Sequence, residues 1–159
     1  MDLNNIAVIY GSDSSEWEVS VRSGEFTASQ IDGERFNVYE IFARFGKWVV
    51  KAYRLKGQER VLISEEERPD VCKTDFSAVV GGEKVKFDYA YIMQHGTPGE
   101  NGLMQGYLEM IGVPHSGCNA FVSAITSTDS PSSGSSAKAS PSQLRLSSKL
   151  PGASNVSTL

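Results

Sequence analysis

The sequence predicts an α/β domain built on a mainly parallel sheet flanked by helices, with a C-terminal tail outside the fold. Two observations carry the first part of that expectation. Apolar runs of strand length end in glycine-containing loops, at Ile6 to Tyr10 before Gly11 and at Lys86 to Gln94 before His95 to Gly102. Each loop leads into helical spacing, with Trp17, Val21, Gly24, Ala28 and Ile31 after the first and Leu103, Met104, Tyr107, Leu108 and Ile111 after the second. Strands separated by helices need crossover connections, which make parallel pairs covered on both faces. The third observation is a break in composition near Thr126. Of the 33 residues from Ser127 to Leu159, 12 are serine, 3 are proline and none is aromatic. Such a segment offers too little apolar surface to offset the entropy of ordering, so a disordered tail is expected.

The elements follow in order. Ile6 to Tyr10 (IAVIY) is the continuous apolar run of a buried parallel strand. Ser15, followed three residues later by Glu18, matches a capping box that opens a helix, and Gly33 stops it. Phe36 to Phe42 reads as a second strand. From Gly46 to Ile63, WVVKAYRL and RVLI broken by Gly57 predict extra strands or a hairpin at a sheet edge. Lys86 to Gln94 (KFDYAYIMQ) is the next strand, and the glycines and proline of His95 to Gly102 exclude regular structure beyond it. The Leu103 helix, with Met and aromatic positions expected in the core, ends at Gly112. Val113 to Ser116 forms a short strand and Ala120 to Thr126 another helical turn or two.

A chain of 159 residues closes about one hydrophobic core. Its 15 basic and 19 acidic residues leave a net charge of -4, and the basic tail leaves the rest more acidic still. That argues against nucleic acid or an anionic membrane as partner and for a small molecule or a protein. Cys72 and Cys118 lack metal-ligand spacing and read as ordinary buried thiols of a reducing compartment; no metal site is expected. Asp2 stands where a secretion signal needs positive charge, and no apolar run approaches the roughly 18 residues of a membrane helix, so a cytoplasmic location is expected.

Ligands of parallel sheets bind at the carboxyl ends of the strands. Two loops meet that description, Gly11 to Glu18 and His95 to Gly102. The first, GSDSSEWE, lacks the glycines of a phosphate cradle, and its acids favour a cation such as a substrate ammonium. The competing reading is that Glu16 and Glu18 only complement the helix dipole and cap the first turn, at ~0.3 to 1 kcal/mol each. In the second loop, His95 can bind a carboxylate or steer a proton near neutral pH, or it can simply hold the turn through a loop carbonyl. Glu100 is expected to start the helix, and His115 and Cys118 to be structural.

Read together, the loops are specific. IAVIYGSDSSEWEVSVRSG, then FDYAYIMQHGTPGENGLMQGYLEMIGVPHSGC, then FVSAIT resemble the amino-terminal domain of D-alanine-D-alanine ligases over about Ile6 to Thr126. The resemblance implies a Rossmann-like pre-ATP-grasp fold in a cytoplasmic enzyme of peptidoglycan synthesis. That enzyme uses ATP and magnesium to join two D-alanines. It implies that Glu16 is a catalytic residue, holding the ammonium of the first D-alanine and helping to order the lid. His95 then lies against the bound D-alanine, and Val19 contacts its methyl group. The match stops after FVSAIT: Ser127-Thr128-Asp129-Ser130-Pro131 stands where the family continues with its nucleotide lysine and the ATP-grasp region. The expectation is therefore a ligase amino-terminal domain over 1–126 and a tail over 127–159, truncated before the ATP-grasp region. Such a chain would be inactive alone and would bind neither ATP nor magnesium. A non-catalytic remnant, an amino-acid or partner-binding module, and another ATP-grasp carboxylate-amine ligase stay open as alternatives, as does a homodimer.

Overall fold

The first apolar run of the chain becomes an interior strand of a sheet. The computed structural model describes residues 4–117. Strand β1 (Asn5–Gly11) lies between β2 (Asn37–Arg44) and β8 (Tyr89–Ile92), parallel to both, which makes the expected parallel centre. Beyond β2, β3 (Lys47–Arg54) and β4 (Val61–Leu62) add antiparallel strands, giving the order β4-β3-β2-β1-β8. The 46–63 stretch is thus the edge hairpin its pattern predicts. The chain enters it from β2 through Phe45 and Gly46, both with positive φ (46° and 75°), which suits a two-residue turn between the twisted strands β2 and β3.

Alternation along β1 divides the core. Val8 and Tyr10 face helix α1 (Trp17–Gln30), packing with Ala28 and Val38. Ala7 and Ile9 face the other way, with Tyr39 and Ile41 of β2. That second face is covered by Met104 and Leu108 of α2 (Leu103–Met110) and by Phe76 and Phe87. Phe76 belongs to a region without a periodic signal in the sequence. Residues 65–67 form one 3-10 turn, and β5 (Val71–Cys72), β6 (Ser77–Val80) and β7 (Glu83–Lys86) form a small antiparallel sheet.

Five local expectations need correction. The Ser15/Glu18 capping box is not made: α1 starts after Glu16 with no side-chain cap hydrogen bond. The run from Lys86 to Gln94 is not one strand. Phe87 turns fully into the core and the Asp88 carboxylate accepts the N–H groups of Asn4 and Asn5 (3.0 and 2.9 Å), which separates β7 from β8. Leu103 shares the apolar spacing of its helix yet is 62% exposed, because Met104 and Leu108 define the buried stripe. Cys72 is exposed on short β5 rather than buried. Val113 to Ser116 contributes only an isolated parallel bridge, His115 to Ala90. Cys118, the Ala120 to Thr126 helix and the tail lie outside the described residues. No helix among the described residues is long and apolar enough to cross a membrane.

Candidate functional site

Because β1 and β8 are parallel, both of the loops singled out by the sequence leave the same edge of the sheet. A buried hydroxyl fixes that edge. Ser20 Oγ, on α1, donates to the Met93 carbonyl (2.7 Å) and accepts the Gly11 N–H (3.0 Å), tying the helix to both strand ends. Gly11 has φ of 101°, and a Cβ there would sit 2.5 Å from the Ala43 carbonyl oxygen, so no side chain fits where β1 passes β2.

The loops are joined to each other. Ser14 Oγ donates to the His95 carbonyl (2.9 Å) and accepts the Glu16 N–H (3.2 Å). Its one proton is spent on His95, so Ser12 is the donor in the 2.9 Å Ser12–Ser14 hydroxyl pair. The Asp13 N–H donates to the Thr97 carbonyl (3.0 Å). Gly96 makes this contact sterically possible: its φ is 76° and a Cβ would come within 2.9 Å of the Ser14 side chain. The Thr97–Pro98 peptide is cis.

Helix geometry then gathers the sequence-predicted residues. Glu16, Val19 and Ser23 are spaced by three and four positions, one face of a helix. At the far end of that face, Ser23 Oγ lies 3.4 Å from His95 Nε2. Glu100 Oε1 lies 3.7 Å from His95 Nδ1. Glu16 and Val19 are exposed, and His95 is partly so. The Glu16 carboxylate makes no capping hydrogen bond, so the competing role as a side-chain cap is not realised. An imidazole between a carboxylate and a hydroxyl can keep a proton on Nδ1 and exchange one at Nε2, or bind a carboxylate as the cation. Glu100, expected to start the helix, instead precedes the Gly102 N-cap of α2 and faces His95. His115 holds structure rather than a ligand: its ring is 8% exposed, 3.7 Å from Glu109, on the bridge to β8. The sequence alone assigns no role to Ser14, Ser20 or Ser23. For Ser23 the signal was its two-turn spacing from Glu16. The other two depend on the meeting of distant strand ends. Among the described residues no three His, Cys, Asp or Glu side chains form a group able to hold a metal ion.

Fold and edge together define a Rossmann-like α/β domain whose loops converge at the carboxyl ends of two neighbouring parallel strands. The family described as "D-ala D-ala ligase N-terminus" matches residues 5–118. The D-alanine--D-alanine ligase of Phocaeicola vulgatus is 42% identical over 121 residues, 76% of this chain and 34% of that protein. Among solved structures, D-alanyl-alanine synthetase A from Vibrio cholerae shares the fold, with a TM-score of 0.61 and 24% identity over 80% of this chain and 36% of that one. VanG D-Ala:D-Ser ligase from Enterococcus faecalis gives a TM-score of 0.61 and 25% identity over 77% of this chain and 38% of its own. The chain belongs to the D-alanine-D-alanine ligase amino-terminal family. It spans about a third of the length of the curated relatives it matches.

Proposed function

We propose that this chain supplies the D-alanine-recognising edge of a D-alanine-D-alanine ligase. In this reading Glu16 takes the substrate ammonium, Val19 meets the methyl group and His95 lies by the carboxylate. One observation carries it: Glu16, Val19 and Ser23 share a face of α1, and Ser23 meets His95. A cation-seeking acid and a carboxylate-seeking histidine on one surface match the two charged groups of an amino acid. Glu16 is exposed in this chain, and its hydrogen bond to an ammonium is worth ~1.5 to 3 kcal/mol once bound substrate and the rest of the enzyme exclude water from it.

In the intact enzyme, ATP with magnesium would activate one D-alanine carboxylate as an acyl phosphate for attack by the second amine. The described residues do not fit those groups. The first loop presents Asp13, Glu16 and Glu18 where a polyphosphate needs donors, and no metal-holding cluster is found among the described residues. This chain's part is therefore to bind and orient amino acid. A domain over 1–126, a tail over 127–159 outside it, a cytoplasmic location and pairing as a homodimer belong to the same proposal.

The test is a chimera in which residues 1–126 replace the corresponding segment of the Phocaeicola vulgatus ligase. Formation of D-alanyl-D-alanine from ATP and D-alanine supports the proposal. A folded chimera that forms none contradicts it.

A further inference from the structure

We infer that Arg44 is a positioning residue for the start of α1, acting through Trp17; the inference rests on the reading of Glu16 as the ammonium site. Arg44 is the last residue of β2, on the edge where the two loops converge. Its guanidinium lies between two rings, 4.5 Å from the centre of Trp17 and 4.8 Å from that of Phe45. Its Nε is buried and makes no hydrogen bond, so ring faces rather than polar partners hold this end of the side chain. Trp17 follows Glu16 directly and opens α1, and its ring also meets that of Phe42, on the same strand as Arg44, at a steep angle (6.3 Å, 78°). The ring beside the substrate-facing acid is thus clamped by two β2 side chains.

The turn after Arg44 grips the same loop from a second side. The Phe45 N–H donates to the Asp13 carboxylate. Phe45 is itself an outlier. Its φ is 46°, in a turn position that favours glycine or asparagine, and the residue is 70% exposed. Stability alone gives no reason for a strained, exposed phenylalanine there. The stack on Arg44 gives one: the strain is kept because the ring completes the clamp on Trp17.

The experiment compares the 159-residue chain with its Arg44→Ala, Arg44→Lys and Phe45→Gly variants by amide hydrogen exchange and melting temperature. Loss of the stack should speed exchange at the Asp13, Glu16 and Ser20 amides by roughly threefold to thirtyfold in Arg44→Ala and Phe45→Gly. Amides of β1 and β8 should not change. Arg44→Lys, which keeps a cation over the ring, should restore most of the protection. Phe45→Gly should melt no lower than the parent, since glycine relieves the positive φ. Unchanged exchange at those three amides, or loss spread evenly through β1 and β8, would overturn the inference. Exchange reads the loop directly, so this result stands apart from whether Glu16 binds an ammonium.

Discussion

Replacing Gly96 by alanine tests whether the two loops are as closely joined as the geometry requires. Alanine at φ of 76° occupies the left-handed region, which costs about 1 to 2 kcal/mol. The new Cβ would also lie 2.9 Å from both Cβ and Oγ of Ser14. Ser14 cannot swing away freely, because its hydroxyl holds the His95 carbonyl, the Glu16 N–H and Ser12. Overpacking of that kind adds ~1 to 3 kcal/mol. Gly96→Ala should therefore destabilise the 159-residue chain by ~2 to 5 kcal/mol, read as a lower urea midpoint at unchanged slope. Ser14→Gly removes the clashing atoms. In that background only the backbone cost should remain, so Gly96→Ala should cost ~1 to 2 kcal/mol. An equal cost in both backgrounds, or a cost below ~0.5 kcal/mol in the parent, would refute the reasoning.

Two further outcomes follow from groups beneath the site. The Glu40 side chain is 3% exposed and is held by Arg60 and by the Tyr10 hydroxyl (2.9 Å). Arg60→Ala strands that carboxylate and should cost ~1 to 3 kcal/mol, less than a fully buried pair because Arg60 is itself 43% exposed; a urea midpoint equal to the parent's would contradict this. Burial raises Tyr107 to about 12, and burial together with Glu40 raises Tyr10, both from an ordinary value of 10.0. The folded state keeps these protons after the unfolded chain has lost them. Their contribution is complete below about pH 10 and is lost as pH climbs towards 12. The urea midpoint should fall between pH 9 and 11, and fall less in Tyr107→Phe; an identical midpoint at both values would rule this out.

The sequence disclosed the parts of the fold whose physical signal is local. IAVIY is buried on both faces of the sheet, so it is apolar throughout, and GVP after α2 marks a stop that the structure keeps at Gly112, with φ of 72°. What stayed hidden depends on distant partners. The β5–β7 sheet is made of strands of two to four residues with mixed polarity, too short for an alternating pattern. The split at Phe87 and Asp88 needs Phe76 and the Asn4 and Asn5 amides to be nearby, and no spacing within KFDYAYIMQ announces them. At the site, residue types at strand ends pointed to Glu16 and His95. Ser14 and Ser20 act by joining segments 81 and 73 residues apart, a proximity that no local pattern encodes.

Glu16→Gln in the active chimera tests the central claim most directly, with kcat/KM for D-alanine and melting temperature measured side by side. The substitution keeps the shape of the side chain and removes the charge facing the substrate ammonium. kcat/KM should fall roughly tenfold to a hundredfold, with no change in melting temperature, because Glu16 is exposed and its side chain makes no capping hydrogen bond. Full activity combined with a melting temperature several degrees lower would show that Glu16 only stabilises the helix start, and would contradict the assignment of this edge to D-alanine.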